Sequence, residues 1–371
     1  MISCTNFNAP LFERIDDNKL RVIGVSIGPH PEVSPGDTVT ATAYFAGNPV
    51  VSVDAFSIAH SILWASDGTI PSDDYTITPI NYISGLPDSI RFSFVVNSDV
   101  FIGRRNFSSL SQAKSDSVAN IFIKNKTDLS TYLSGLPAKD LDSLKIFADK
   151  MVLPAFLLFT AHSASGTSLK IKTDFSIKYH VPDLGTASAL SNPSIHWVGI
   201  CKVPSQYALG FSLDSINLNN NHVITYLYNS DTPSLVDSII DVDTGYSYFL
   251  AADNGVYSSI DSNSMTRSDT AWDTIIDRNG VSQYATYNYM WFYQNLEYNA
   301  ENADTLMLID NNESALVEMR PPRLTSIHRF RVCLCVYDQF PGIWNRPRGE
   351  TVRMANGVFR YSEAYIKKYG E

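Results

Sequence analysis

A mainly β protein, built as two antiparallel β-sandwich domains with a helical segment inserted in the first, is the fold class this sequence predicts. Three observations predict it. Short runs alternate apolar and polar residues with a period of two, the period of a half-buried strand. Ser, Thr, Asn and Asp are plentiful, Lys is scarce, and Tyr and Phe are frequent, a mix that favours strands and turns over helices. The 371 residues exceed one ordinary core, and a stretch rich in Pro, Gly, Ser and Ala, Pro182 to Ile195, divides them. The division places a tether at residues 1–19, one sandwich at 20–183 and a second at 184–371.

The first domain is organised around His30 to Phe45, HPEVSPGDTVTATAYF. Pro31, Pro35 and Gly36 mark a turn that is expected not to continue a sheet, because proline has no N–H to donate. From Asp37 a strand begins, in which Thr38, Thr40 and Thr42 alternate with Val39, Ala41 and Ala43. Leu20 to Ile27 precedes it as a first strand, and Val50 to Trp64 supplies one or two more. In Asp88 to Val96, Ile90, Phe92, Phe94 and Val96 share one face. Between about 108 and 150 the spacing turns helical: Pro137 sits in a first turn, and Leu141, Leu144, Phe147 and Ala148 recur at helical intervals. Met151 to Ala161 and Ser168 to Val181 resume the sheet. The former, at eleven residues and broken by Pro154, is a core strand, far short of the roughly 20 residues that span a bilayer.

The second domain reads as strands at His196–Val203, Tyr207–Ile216, His222–Ser230, Tyr284–Tyr298 and Arg329–Asp338, with others between. Its end reads as a turn, a last strand and a basic tail.

A net charge of −10 with no basic stripe argues against nucleic acid and against electrostatic docking on anionic lipid. The four cysteines, Cys4, Cys201, Cys333 and Cys335, are too few for a disulfide scaffold. Cys201 pairing with Cys333 or Cys335 is one expectation; three small buried apolar residues is the other, and the favoured one.

Motifs of catalysis lack their context. Gly24 to Gly28 matches G-x-S-x-G, but a proline-rich turn and a strand follow where a helix is needed. Ser111 to Lys114 matches S-x-x-K without its companion motifs. The seven histidines show no zinc spacing, and no haem motif is present. Asp241 and Asp243, two apart before Gly245, are a weak calcium candidate; an Asp-rich turn is the plainer reading. No cofactor is expected. Tyr287, Tyr289, Trp291 and Tyr293 fall on one strand face. Exposed, they would stack on sugar rings; Met290, Phe292 and Leu296 face the other way, so one face is core, and a core tryptophan is the more ordinary role.

Cys4 stands apart. Met1-Ile2-Ser3-Cys4, followed by a polar run to Asn18, matches the end of a bacterial lipoprotein signal peptide, with Cys4 as the lipidated residue. Cys4 and its tether, Pro31 to Asp37, Asn192 to Ile195, Trp291, and Val336 to Trp344 together resemble the plan of bacterial cell-envelope lipoproteins with tandem immunoglobulin-like domains. The resemblance implies two immunoglobulin-like β-sandwiches and an exported, lipid-anchored location at the outer membrane or cell surface, not an activity; the helical segment departs from that plan. The expected function is a non-enzymatic binding or structural module whose partner is another envelope protein or a glycan. A carbohydrate-binding surface protein using the aromatic row is the alternative, and a hydrolase on a sandwich scaffold the third.

Overall fold

The computed structural model describes residues 13–14, 20–46, 50–62, 65–69, 75–80, 89–103, 110–185, 192–212, 216, 222–231, 238–253, 274–276, 282–284, 286–296, 306–310, 315–319, 321, 327–339 and 349–369. The fold is mainly β, arranged as several largely antiparallel sheets around two principal cores.

After β1 (Glu13–Arg14), the first unit begins with β2 (Arg21–Gly28), β3 (Glu32–Val33) and β4 (Thr38–Ala46). It continues through β5 (Val50–Ile62), β6 (Ala65–Thr69), β7 (Tyr75–Ile80) and β8 (Ser89–Val95). Helices α1 (Gln112–Lys124), α2 (Leu129–Ser134) and α3 (Ala138–Lys150) follow, then β9 (Val152–Ser163) and β10 (Ser168–Lys178). Two sheets result, in the orders β2-β4-β8-β7 and β3-β10-β9-β5-β6. Both contribute to one core. Val39, Ala41, Ala43 and Phe45 of β4 meet Leu153, Ala155, Leu157 and Phe159 of β9 in it. Burial along β9 alternates strictly, as the two faces of a strand require, although its sequence is almost continuously apolar. Pro154 lies outside the β5 pairing, which ends at Ala155, so its missing N–H breaks no ladder bond on that side.

The helices stand where the 3.6-residue spacing puts them. Val118, Phe122, Leu144 and Ala148 enter the same core, and Leu141 and Phe147 pack against its margin. Asp140 in the first turn of α3 and Lys150 in its last suit the helix dipole.

The turn before β4 differs from expectation. Glu32–Val33 pairs in parallel with Ser176–Ile177 of β10, so the chain leaves one sheet, touches the other and returns. Proline forbids only its own N–H: Pro31 and Pro35 flank the two paired residues, and Pro31 still accepts from Ser176 N at 2.9 Å. The Ser34 hydroxyl extends the link, accepting from His180 N at 2.9 Å and donating to Lys178 O at 3.1 Å.

After a 3-10 turn at Pro182–Leu184, the second unit opens with β11 (Trp197–Pro204), α4 (Ser205–Ala208), β12 (Val223–Asn229), β13 (Ser238–Val242) and β14 (Tyr246–Asp253). A small hairpin of β15 (Thr274–Ile276) and β16 (Ser282–Tyr284) comes next. Then come β17 (Thr286–Asn295), β18 (Leu306–Asp310), β19 (Leu316–Met319), β20 (Ile327–Gln339), β21 (Glu350–Tyr361) and a closing helix, α5 (Glu363–Tyr369). The sheets are β12-β11-β14-β19 and β1-β18-β17-β20-β21-β13. A second core lies between them, with Val198, Ile200 and Leu250 from one and Trp291, Leu334 and Phe359 from the other.

Three expectations change here. The strand expected at Tyr207–Ile216 is replaced at its start by the turn of α4. The basic tail is helical, with Lys367 and Lys368 in the last turn of α5, where cations favour the dipole. Residues 13–14, expected in a loop-like tether, pair with Met307 and Leu308 of β18, because an edge strand offers unpaired backbone groups to any segment that reaches it.

The two units repeat one strand plan. In each, the first strand pairs antiparallel with a strand that itself pairs onward (β2-β4-β8; β11-β14-β19). In each, a short segment runs parallel to the last strand (β3 to β10; β13 to β21). In each, the last strands and a central hairpin lie in the order last, penultimate, central (β10-β9-β5-β6; β21-β20-β17-β18).

The units share a third, smaller cluster. A bulge between Val22 and Gly24 leaves Ile23 without a partner on β4 and turns it towards the second unit. There it joins Phe292, Cys333, Cys335 and Val352, with Tyr44 and Met290 alongside. Asn192 ties the joint, donating to Ile27 O at 2.6 Å and accepting from Glu350 N at 3.3 Å.

Candidate functional site

The residues expected to carry function fall in different places. Tyr289, Trp291 and Tyr293 face the second core and are buried, Trp291 completely, so they are not a surface for stacking sugars. The opposite face of the same strand, Met290 and Phe292, is covered by the first unit. The Tyr293 hydroxyl meets His328 Nε2 at 2.5 Å inside a stack that includes Phe330 and Phe359. The side chain of Tyr287, Cys4 and the turn that holds Trp344 lie outside the described residues.

The disulfide between Cys201 and Cys333 or Cys335 does not form: all three are buried thiols. Cys201 belongs to a cluster on the outer side of one sheet, with Val203 and Phe249, and Cys333 and Cys335 to the joint on the outer side of the other. The core separates them, and two sheets stack about 10 Å apart, beyond disulfide reach. Burial pushes the Cys201 and Cys333 thiols up to about 12. In the folded protein at pH about 8, Cys201, Cys333 and Cys335 are expected to resist a thiol reagent, and to label rapidly in denaturant, as mass spectrometry of labelled peptides will record.

Asp241 and Asp243 each have protein partners. Arg360 Nε donates to Asp241 at 2.6 Å across the β13–β21 pairing, and this bond holds the Asp241 carboxyl below the usual range. Asp243 accepts from Ser362 Oγ and from Thr244 N, each at 2.8 Å, which lowers its pKa too. Among the described residues no group of three or more His, Cys, Asp or Glu side chains is placed to hold a metal ion.

These partners build something else. The turn from Asp243 to Gly245 joins β13 to β14, and Gly245 takes φ +86°, a value that suits glycine. The buried Tyr248 phenol accepts from Asp243 N at 2.7 Å and fixes the turn from below; its pKa is raised, chiefly by burial. Ser362 starts α5 as an N-cap, its hydroxyl accepting from Tyr365 N at 3.2 Å, while its own N–H donates to Val242 O at 2.9 Å. Turn and helix thereby frame a cleft of about 550 Å³ at one end of the second unit. Asp243, Tyr246, Tyr248, Glu318, Tyr365 and Lys368 line it. Tyr246 and Ser362 carry no motif; a serine directly before a helical run is the one local signal for the latter.

The tie from Asp243 to Ser362 makes a pH prediction. Because the folded pKa of Asp243 lies below its unfolded value, the contribution is complete above about pH 4 and is lost as pH falls through the lowered value. Amide protection at Tyr365 and Ile366 should therefore hold from about pH 8 down to about 5 and fall in stronger acid, with Asp243→Asn showing the loss already at neutral pH.

No family model matches the chain, and no curated protein matches it in sequence.

Proposed function

We propose that each unit is an immunoglobulin-like β-sandwich domain and that the chain is a non-enzymatic lipoprotein of the bacterial cell envelope. It is held in the membrane through lipid on Cys4 and acts as a binding or structural module. The observation that carries the domain assignment is the repeated strand plan; the lipid anchor rests on Cys4 and the residues around it. In both units two largely antiparallel sheets enclose one core and a short segment lies parallel to the last strand; the two-sheet packing is that of an immunoglobulin-like sandwich. A tryptophan buried on the central strand of the second unit, Trp291 on β17, agrees with the same class. The helices between β8 and β9 are an insertion into that plan.

Side chains that elsewhere do chemistry are used here for structure. His328 supports Tyr293, Glu350 accepts from the Cys335 thiol at 2.9 Å, and Asp243 holds a helix. Such bonds suit a stiff two-domain module that presents surfaces rather than reacting atoms. The test is mass spectrometry of the Cys4 peptide from the membrane fraction of the native host. An acylated Cys4, and release of a Cys4→Ala protein into the soluble fraction, support the reading. A cytoplasmic protein with a free Cys4 refutes it.

A further inference from the structure

The cleft beside Asp243 has the make-up of a small binding site. It is of drug-ligand size, concave, and mixes rings with polar groups of both signs. The ring of Tyr246 is its most available apolar surface: the residue is 40% exposed although it lies at the start of a strand whose next inward residue, Tyr248, is buried. Lys202, which is not part of the cleft wall, sits over the Tyr246 ring with Nζ 4.3 Å from its centroid. The same ammonium donates to Asp241 O at 3.0 Å, so the ring is held by a fixed cation on one face and loses little freedom when a ligand covers the other.

The charges narrow the ligand. Asp243 and Glu318 against Lys368 give the wall a small negative balance on a chain of net charge −10, which disfavours polyanions. The Asp243 carboxylate is already shared between Ser362 and Thr244, which suits it to accept a further hydroxyl rather than to hold a free cation. A flat ring beside carboxylates and an ammonium matches a molecule with one C–H-rich face and a rim of hydroxyls.

We infer that this cleft binds a neutral saccharide, one sugar ring stacking on Tyr246 while Glu318 and Asp243 accept from its hydroxyls and Lys368 donates to one. The inference rests on reading the protein as a binding module, and it moves glycan recognition from the buried Trp291 row to the rim of the same unit.

The test is saturation-transfer NMR and calorimetry on the full chain carrying Cys4→Ser, titrated with a panel of neutral hexoses, N-acetylhexosamines and their disaccharides. Glucuronate and a diamine serve as charged controls. Saturable binding by a neutral sugar is expected, weakened at least about tenfold by Tyr246→Ala and largely kept by Tyr246→Phe. Glu318→Gln, at an exposed position, should weaken it without altering thermal stability. Absence of saturable binding by every neutral sugar overturns the inference, as does preference for either control or binding that survives Tyr246→Ala. Because Cys4 is replaced throughout, none of these outcomes bears on the lipid anchor, which the fractionation experiment decides separately.

Discussion

Trp291→Ala will destabilise the second unit by about 3–5 kcal/mol, measured as a fall in the urea midpoint followed by circular dichroism. The residue is wholly buried, and its strand pairs with β20 on one side and β18 on the other, so neighbours on both sides restrict collapse into the space left behind. The cost is transfer of the indole plus the residual cavity. Tyr293→Phe removes only the hydroxyl that meets His328 Nε2, and is expected to cost about 1–3 kcal/mol. The comparison separates two roles for the row. A tryptophan serving as a sugar platform would lose binding and leave stability within about 0.5 kcal/mol, the ordinary range for surface substitutions. A core tryptophan reverses that pattern.

The same strand shows what was legible in the sequence and what was not. Its period-two alternation placed Tyr289, Trp291 and Tyr293 together on one face, and the structure keeps them there. The other face mixes Met290 and Phe292 with the buried polar residues Asn288 and Gln294, so its composition does not by itself announce that it is covered. Which residues cover the second face is a long-range matter: Ile23 and Tyr44 arrive from a part of the chain some 250 positions earlier. Local spacing likewise showed the alternation of β4 and the helical repeat of α3, because each depends on residues within one element. It missed β3, where two residues between prolines cross to the other sheet, and β1, whose pairing depends on an open edge far along the chain. The cleft was illegible for the same reason. Its wall joins Tyr246, Glu318 and Lys368, and only the sheet register and the docking of α5 bring them together.

Gly24→Leu is expected to part the two units without unfolding either. A Cβ at this position would lie 3.0 Å from Val352 Cγ2, 3.1 Å from Cys335 Sγ and closer still to the Glu350 carboxylate, so the backbone of β2 rests directly on the second unit. Leucine places three further carbons there. Overpacking of this kind costs about 1–3 kcal/mol, and here the cheapest relief is to open the joint, because each unit keeps its own core. An interface weakened by that amount opens roughly 5- to 150-fold more often. Cys335 and Cys333 lie in the joint, whereas Cys201 lies elsewhere, on the far side of the second core. Labelling of Cys335 and Cys333 in the native variant should therefore accelerate by that factor while Cys201 stays protected. Small-angle scattering should show a longer particle. Asn192→Ala, which removes the bonds to Ile27 O and Glu350 N without adding bulk, should move both readouts in the same direction by less. Equal labelling of all three cysteines would mean that the second unit itself had unfolded. An unchanged pattern with unchanged scattering would mean that the joint absorbs the leucine, and that Gly24 is not what sets the distance between the units.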